Sequence, residues 1–326
     1  MNYKYPYNEE ISRMFTVARS IAILSVISAH VTIKQSEIIA NLYSTIGSIG
    51  VVLFFIMAGY YYKKYPFEVL LKKKVKSIVI PCIFLGSMVW MVNSALTDSG
   101  FSVTQLWLWL VGYKTYLYYV NVLLLCFLLF YFNNRMTLLM AIVLNAVSII
   151  LTATGFMAPV IEYLHITNYL NVFNWVGFFA IGMLLKRVDS ETLYKFIKNT
   201  RYVWIVSSFV YTGIIAITGY QVGYFSALGW LYEIVSVLSI LGICTFRFTH
   251  SKLLISVSSF SYAIYLLHMM FVGVLGKIYG RHIVVAVFAN IIVLAFTHFV
   301  LVAGKYIAER IGIGKIYNIC IGMREY

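Results

Sequence analysis

An arginine and a histidine eleven residues apart are the side chains of this sequence whose types and spacing most directly suggest chemistry. Arg19 and His30 bound the segment RSIAILSVISAH within the first apolar run. Eleven residues advance a helix by about three turns plus 20°, so both side chains lie on one face, roughly 16 Å apart along the axis. A neutral imidazole can remove a hydroxyl proton, and a guanidinium can hold phosphate or stabilise developing negative charge. The pair therefore suits acyl transfer to an alcohol.

Glu233, His268 and His298 are further titratable residues within apolar segments. Such groups are costly in a bilayer and usually face the interior of a bundle, which makes them functional candidates. His268 is predicted to lie in the same half of the membrane as His30, so the two histidines could meet. Glu233 has no adjacent basic residue, so it needs a partner from another helix or must be protonated. A structural ion pair and a catalytic or proton-handling role both stay open for it.

The composition indicates the kind of scaffold that positions these residues. Of the 326 residues, 62% are hydrophobic and only 11% are charged, against about 45–50% apolar and 25% charged in a soluble domain. The sequence predicts an all-α, polytopic membrane helix bundle that forms a single integral membrane domain over 1–326. The net charge is +14, and the basic residues that produce it lie between the apolar runs, where they set topology. This distribution argues against nucleic acid as a partner. The first apolar run has no clear cleavage site and is predicted to be a retained helix.

About ten transmembrane helices are predicted, and the basic residues orient them. All but four of the 25 Lys and Arg residues fall on the side of the N-terminus if the chain crosses at each span. The positive-inside rule therefore predicts that both termini are cytoplasmic, N-in and C-in. The predicted spans are 14–33, 44–61, 78–96, 116–133, 137–154, 170–186, 202–219, 224–243, 253–274 and 283–302.

Three segments outside these spans have a predicted conformation. The Trp-rich segment 101–114 is too short for a further span and fits an interfacial or re-entrant helix. The polar segment 186–201 is expected to form a short cytoplasmic helix. The tail from Gly304 has the scattered charges of an amphipathic segment on the inner leaflet.

Several other polar residues have a structural and a functional interpretation. The cysteines lack the spacing of a zinc site or a disulfide framework and are expected to be structural. Glu162 and His165 form a lone i, i+3 pair, for which a solvated loop is favoured over a metal site, and no metal is predicted. Lys73, Lys74 and Lys76 belong to a basic cluster that either sets topology and attracts anionic lipid or forms a phosphate-binding rim for a donor such as coenzyme A.

The chain resembles the membrane-bound acyltransferase 3 family, whose bacterial members modify surface polysaccharides. Four motifs carry the resemblance in the family's order. RSIAILSVISAH looks like its arginine-x10-histidine motif, and GSIGVVLFFIMAGYY resembles its glycine, double-phenylalanine and glycine-tyrosine signature. KKKVKSIVIP is similar to its basic stretch before an apolar-proline helix start, and SSFSYAIYLLH to its late tyrosine and histidine motif. The chain departs from the family where it reads LYYVNVLLL in place of a tryptophan-phenylalanine pair.

The resemblance implies an O-acyltransferase of the bacterial inner membrane. It would take an acyl group, most often acetyl from cytosolic acetyl-CoA, and place it on a hydroxyl of a glycan or lipid-linked saccharide. By the same resemblance, His30 would be the catalytic histidine and Arg19 would help to bind the donor. Tyr262, Tyr265 and His268 would line the same cavity. Acetyl-CoA would be a donor substrate, and no permanently bound cofactor is expected.

Two other functions are compatible with the same residues. In a membrane transporter or flippase for a polysaccharide intermediate, Arg19, Glu233 and His268 would form a polar pathway. The sequence shows little of the repeat symmetry or of the broken helices typical of transporters, which favours the enzyme. A structural subunit of a polysaccharide export complex would instead tolerate alanine at both Arg19 and His30.

Overall fold

The structure is a computed structural model that describes residues 9–34, 36–97, 101–132, 137–164, 166–219, 224–249, 251–279 and 283–323. Within these ranges the chain is helical and contains no strand, which confirms the predicted all-α class. The helices are α1 (Glu9–His30), α2 (Glu37–Tyr60), α3 (Phe67–Lys74), α4 (Ile80–Thr97), α5 (Val103–Leu110), α6 (Tyr118–Phe132), α7 (Leu138–Ala153), α8 (Ala158–Tyr163), α9 (Val176–Leu185), α10 (Ser190–Thr218), α11 (Ala227–Ile243), α12 (Lys252–Tyr279), α13 (Ile283–Val287), α14 (Ala289–Arg310) and α15 (Gly314–Cys320).

Six helical segments among the described residues are long and apolar enough to cross a membrane. Four further apolar helices are shorter, and each of these ten segments overlaps one of the predicted spans. Ten crossings and the N-in, C-in orientation remain predictions. The long segments are Glu9–His30, Glu37–Tyr60, Phe67–Leu96, Ser190–Thr218, Lys252–Gly276 and Ala289–Arg310, and the short ones are Tyr118–Phe132, Leu138–Ala153, Val176–Leu185 and Leu228–Ile243.

The polar segment 186–201 does not form a separate helix, so that prediction was wrong. Most of it is the first part of α10, which continues without a break into the apolar residues of the predicted span. Asp189 caps the start of α10, where its carboxylate accepts the backbone N–H of Thr192 at 2.9 Å. Gly219, with φ +67°, ends the helix in the left-handed conformation that suits glycine. No residue between these two caps interrupts the helix.

The tail from Gly304 also differs from its predicted form. Its first residues complete α14, which ends at Arg310, and only then does the short helix α15 follow. The hydroxyl of Tyr317 donates to the Leu301 carbonyl at 2.8 Å, which folds α15 back along α14. The tail is therefore packed on the bundle by a specific hydrogen bond.

Helices α3 and α4 form one continuous segment with a π-helical turn at Val75–Val79. Pro81 follows this turn, and its missing N–H and its ring are poorly accommodated by a regular α-helix. The hydroxyl of Tyr262, on α12, donates to the carbonyl of Ile78 in the turn at 2.8 Å. The irregular turn is thereby joined to the helix that carries His268.

Helix α5 has eight residues and is therefore about 12 Å long, which is too short to cross a bilayer. Its Trp109 indole N–H donates to the carbonyl of Gly86 on α4 at 3.2 Å. This arrangement agrees with the prediction that the segment is not a further span.

The helices beside α1 pack at backbone contact through glycines. A Cβ atom on Gly50 of α2 would lie 2.3 Å from the carbonyl oxygen of Ala22 on α1. A Cβ atom on Gly59 of α2 would lie 1.9 Å from the Phe179 carbonyl oxygen, and one on Gly182 of α9 would lie 1.9 Å from the Ile56 carbonyl oxygen. Small residues of this kind let membrane helices approach closely. Helices α1, α2 and α9 therefore form a tightly packed group.

Candidate active site

His30 and His268 lie next to each other, as the sequence predicted. His30 is the last residue of α1, which ends three residues before the predicted limit of the first span, and His268 is fully buried on α12. The centroids of their imidazole rings are 5.1 Å apart, with the ring planes inclined by 46°. Two imidazoles thus meet between the end of one helix and the interior of another.

The hydrogen bonding of His268 identifies its tautomer. Its Nδ1 atom lies 2.5 Å from the backbone carbonyl of Tyr265, which can only accept, so Nδ1 carries the hydrogen and donates it. The Nε2 atom therefore has a free lone pair. It is buried and has no hydrogen-bond partner among the described residues. This nitrogen is in a suitable state to accept a proton or a hydrogen bond from a substrate hydroxyl group.

Tyr116 completes the surroundings of the two histidines, and the sequence analysis missed it. Its ring centroid is 6.1 Å from that of His30 and 5.1 Å from that of His268. The Tyr116 hydroxyl donates to the Leu266 carbonyl at 2.6 Å, and the Tyr265 hydroxyl donates to the Tyr116 carbonyl. The two bonds join the segment before α6 to α12. The aromatic run YLYYV, where the chain departs from the family pattern, was the available signal.

Arg19 lies on the same helix as His30, and aromatic side chains connect it to the histidine pair. The continuous α1 puts both residues on one face, as predicted. The Arg19 guanidinium is within electrostatic range of the Tyr119 hydroxyl. The Tyr119 ring lies 5.4 Å from that of Tyr265, which is 5.9 Å from the His268 ring. We call these five residues the inner row: Arg19, Tyr119, Tyr265, His268 and His30.

The hydroxyl groups of Tyr262 and Tyr265 both donate to backbone carbonyls. The parts of these side chains that remain available to this region are therefore their rings. Their ring planes differ by only 11°, with the centroids 6.4 Å apart. Side chains held in this way offer apolar faces rather than free hydroxyl groups. They can therefore shape a passage without themselves exchanging protons.

The predicted donor-binding lysines lie around the π turn at the junction of α3 and α4. The Lys73 ammonium is 3.7 Å from the Tyr65 ring centroid, and the Lys74 ammonium is 3.3 Å from that of Phe127. Lys76 is exposed within the turn. The bond from Tyr262 to the same turn links this basic segment to the inner row.

Glu233 is a buried carboxyl group with no counter-charge in the described part of the chain. It is 1% exposed, and neither of its oxygens has a hydrogen-bond partner among the described residues. It lies within electrostatic range of the hydroxyl groups of Tyr118, Tyr169 and Tyr224. Burial first, and then the Glu233 carboxylate, raise the pKa of Tyr169 in the loop before α9. No ion pair with Glu233 occurs in these ranges, so the structural ion pair considered for it is not formed there.

Five aromatic rings form what we call the aromatic cluster, and three of them belong to the tyrosines within electrostatic range of Glu233. Their neighbouring centroids are 5.0 to 6.1 Å apart, and the Trp175 indole donates to the Tyr169 carbonyl at 2.9 Å. Tyr169 is 40% exposed, so the cluster extends from the buried carboxyl group to the surface. The cluster consists of Tyr118, Tyr169, Trp175, Tyr224 and Phe225.

Other polar residues take structural roles. Asn121, Asn145 and Asn174 each donate to backbone carbonyls, and Asn290 donates to the Ser28 hydroxyl at 2.8 Å, as expected of membrane asparagines that join neighbouring segments. All four cysteines are free thiols. No group of three possible metal ligands occurs among the described residues, and His165, with which Glu162 was paired, lies outside them.

Comparison with known proteins gives a family and distant relatives. A family model described as an acyltransferase domain, Acyl_transf_3, matches residues 15–309. Proteins of Staphylococcus aureus strains MSSA476, N315 and NCTC 8325, each named "Probable poly-beta-1,6-N-acetyl-D-glucosamine export protein", are 28% identical over 214 residues. The match covers 61% of this chain and 61% of each relative, so the chain spans about three fifths of the relatives' length. No solved structure matches. Because the family model covers well over half of the sequence, the chain belongs to the acyltransferase 3 family.

Proposed function

We propose that this protein transfers an acetyl group from cytosolic acetyl-CoA to a hydroxyl group of a surface or lipid-linked polysaccharide, at the bacterial inner membrane. The observation that carries the proposal is the contact between the half-buried His30 and the buried His268, in which the Nε2 lone pair of His268 has no partner among the described residues. Membership of the acyltransferase 3 family supports acyl transfer as the reaction class.

In the proposed reaction His30 acts as the general base. It takes the proton of the acceptor hydroxyl while the oxygen attacks the thioester carbonyl, so a carbon–oxygen bond forms and the carbon–sulfur bond breaks. The proton then passes to the departing thiolate of coenzyme A. His268 accepts a hydrogen bond at Nε2 and orients the reacting groups. Its own orientation is fixed by the bond to the Tyr265 carbonyl.

The donor is proposed to enter from the face that carries the basic segment. Arg19, Lys73, Lys74 and Lys76 would attract its phosphates, and Tyr262 and Tyr265 would line the path of the acyl arm toward His30. The inner row supports this proposal, because it gives a continuous set of side chains between Arg19 and the histidines.

Glu233 and the aromatic cluster are proposed to bind the acceptor. Sugar rings pack well on aromatic faces, and a buried carboxyl group with unpaired oxygens can accept hydrogen bonds from sugar hydroxyl groups. Replacing Glu233 by glutamine is expected to raise KM for the glycan and leave KM for acetyl-CoA unchanged. Glu162→Gln, at an exposed position on α8, is the matched control. An unchanged glycan KM in Glu233→Gln would remove this residue from acceptor binding.

The test of the proposed function is acetyl transfer by purified His30→Ala and His268→Ala variants with labelled acetyl-CoA and acceptor glycan. The expected loss for His30→Ala is about 10²- to 10⁴-fold, the usual contribution of a general base. His298→Ala is the control, since that histidine is hydrogen-bonded to Ser256 at 3.0 Å, between α12 and α14. Turnover of His30→Ala close to that of the control would refute the proposal.

Polysaccharide export is a second candidate function, because the relatives in Staphylococcus aureus are named as probable export proteins. The two functions are distinguished in proteoliposomes that contain labelled acetyl-CoA inside and acceptor glycan. Acetyl groups on the glycan support transfer. Movement of unmodified glycan across the membrane, undiminished in His30→Ala, supports export.

A further inference from the structure

A basic pocket of about 460 Å³ opens at the end of the bundle where α1 begins. Four cationic side chains and a single carboxylate, Glu10, line it. They come from three separate parts of the chain: the first turns of α1, the first half of α10 and the connection between α11 and α12. The cationic residues are Arg13, Lys198, Arg201 and Arg247.

Arg201 is held in place within this pocket. One terminal nitrogen donates to the Thr245 hydroxyl at 3.2 Å and the other to the Tyr202 hydroxyl at 3.1 Å. The guanidinium lies 4.1 Å from the centroid of the Phe246 ring, and its buried Nε has no partner among the described residues. A Cβ atom on Gly242 would lie 2.9 Å from the Arg201 Cβ, so the glycine allows the close helix approach that positions this arginine. The guanidinium is therefore oriented before any ligand binds.

The pocket lies on a different face of α1 from the proposed active site. Arg13 precedes Arg19 by six residues, which turns a helix by about 600° and leaves the two side chains about 120° apart. Arg19 and His30 share one face, so a ligand of the pocket does not lie along the inner row. The site is separate from the proposed path of the donor.

The neighbouring surface indicates the pocket's depth in the membrane. Just beyond Arg201, α10 changes from charged residues to Val203 and Val206, which are 62% and 60% exposed. Exposed valines on a membrane helix are suited to contact lipid chains. The pocket is therefore at the level where the apolar surface ends, which is where phosphate groups of lipids and of soluble ligands are both within reach.

We propose that this pocket binds the phosphate group of a ligand at the membrane surface. Arg13 forms an ion pair with Glu9, so the four cations face two carboxylates, Glu9 and Glu10. The remaining excess of positive charge suits an anion, and an oriented arginine is the side chain that best matches phosphate geometry. The phosphate can come from the headgroup of an anionic phospholipid or from a soluble nucleotide. The inference does not depend on the acyltransfer reaction.

The experiment measures binding to the purified full chain with two probes. One probe is phosphatidylglycerol, titrated into nanodiscs of phosphatidylcholine, and the other is adenosine 3′,5′-bisphosphate in solution. Arg201→Gln and Arg247→Gln are each expected to weaken binding of the recognised probe by about fivefold. Lys195→Gln is the matched control on α10, because Lys195 forms an exposed ion pair with Glu191 outside the pocket.

The outcomes separate the two sources of phosphate. Binding of phosphatidylglycerol that depends on Arg201 and Arg247 identifies a lipid headgroup, and the same dependence for the bisphosphate identifies a nucleotide. Arg247 is exposed, so Arg247→Gln keeps the test valid if Arg201→Gln unfolds. Equal affinities of wild type, Arg247→Gln and Lys195→Gln for both probes would overturn the proposal.

Discussion

Replacing Tyr265 by phenylalanine is expected to destabilise the protein more than the same change at Tyr116, although each removes a single hydroxyl group. The two tyrosines are 3% and 5% exposed, and each donates to a carbonyl of the other segment. Tyr116 lies before α6 and so outside the helices. No backbone N–H of the described residues donates to its carbonyl. Tyr265→Phe therefore leaves that buried carbonyl unpaired.

The expected magnitudes follow from what each carbonyl retains. An unpaired buried acceptor costs about 1–3 kcal/mol, or roughly 5- to 150-fold in the unfolding equilibrium. The Leu266 carbonyl, which accepts from Tyr116, lies inside α12 and keeps the helical N–H of Met270. Tyr116→Phe should therefore cost only about 0.5–1.5 kcal/mol, the net value of an ordinary hydrogen bond.

The assay is thermal unfolding of both variants and the wild type in one detergent, followed by initial acetyl-transfer rates below the unfolding range. Tyr265→Phe is expected to unfold at the lower temperature and to lose activity, because the segment that carries Tyr116 loses a bond to α12. Tyr116→Phe keeps its ring against both histidines and should retain most activity. Equal stabilities, or a less stable Tyr116→Phe, would refute the reasoning.

Three further predictions concern other parts of the molecule. Gly182→Ala should lower thermal stability by the equivalent of about 1–3 kcal/mol, because the added Cβ would meet a carbonyl oxygen at 1.9 Å. Gly213→Ala is the control: it has open space around it and should be neutral or slightly stabilising. Hydrogen bonds from the backbone and then the side chain of Thr192 lower the pKa of Asp189, so wild type should exceed Asp189→Ala in stability above the unfolded-state pKa. That difference should vanish in unfolding curves as the pH falls through the folded-state value. His268→Asn keeps a donor for the Tyr265 carbonyl but lacks Nε2. Its folding should therefore be normal and its acetyl-transfer rate strongly reduced. A rate equal to that of wild type would show that Nε2 is not used.

The sequence was sufficient for the features that depend on local spacing and on apolar patterning. The eleven-residue separation of Arg19 and His30 placed them on one helical face, and the apolar runs located the main helices. The approach of His30 to His268 followed from comparing their depths in the membrane. These inferences need only helix geometry and a bilayer of known thickness.

The errors arose where a distant residue or a cap decides the structure. The charges of 186–201 indicate exposure to water, yet charged residues such as Lys and Glu are good helix formers, so α10 continues through them to Gly219. Tyr116 was missed because the groups that fix it, Tyr265 and Leu266, are about 150 positions away in sequence. The surroundings of Glu233 depend on loop residues such as Tyr169, whose position no periodicity predicts.

The glycine contacts between α1, α2 and α9 have a consequence for how the site opens. Helices whose backbones touch cannot rotate or slide past one another without driving a carbonyl oxygen into the opposing chain, so we expect these three to move together. His30 ends a helix of this group, whereas His268 is carried by α12 outside it. The two imidazoles, whose centroids are 5.1 Å apart, therefore belong to different packing units, and a change in this distance would report any displacement of α12 relative to α1.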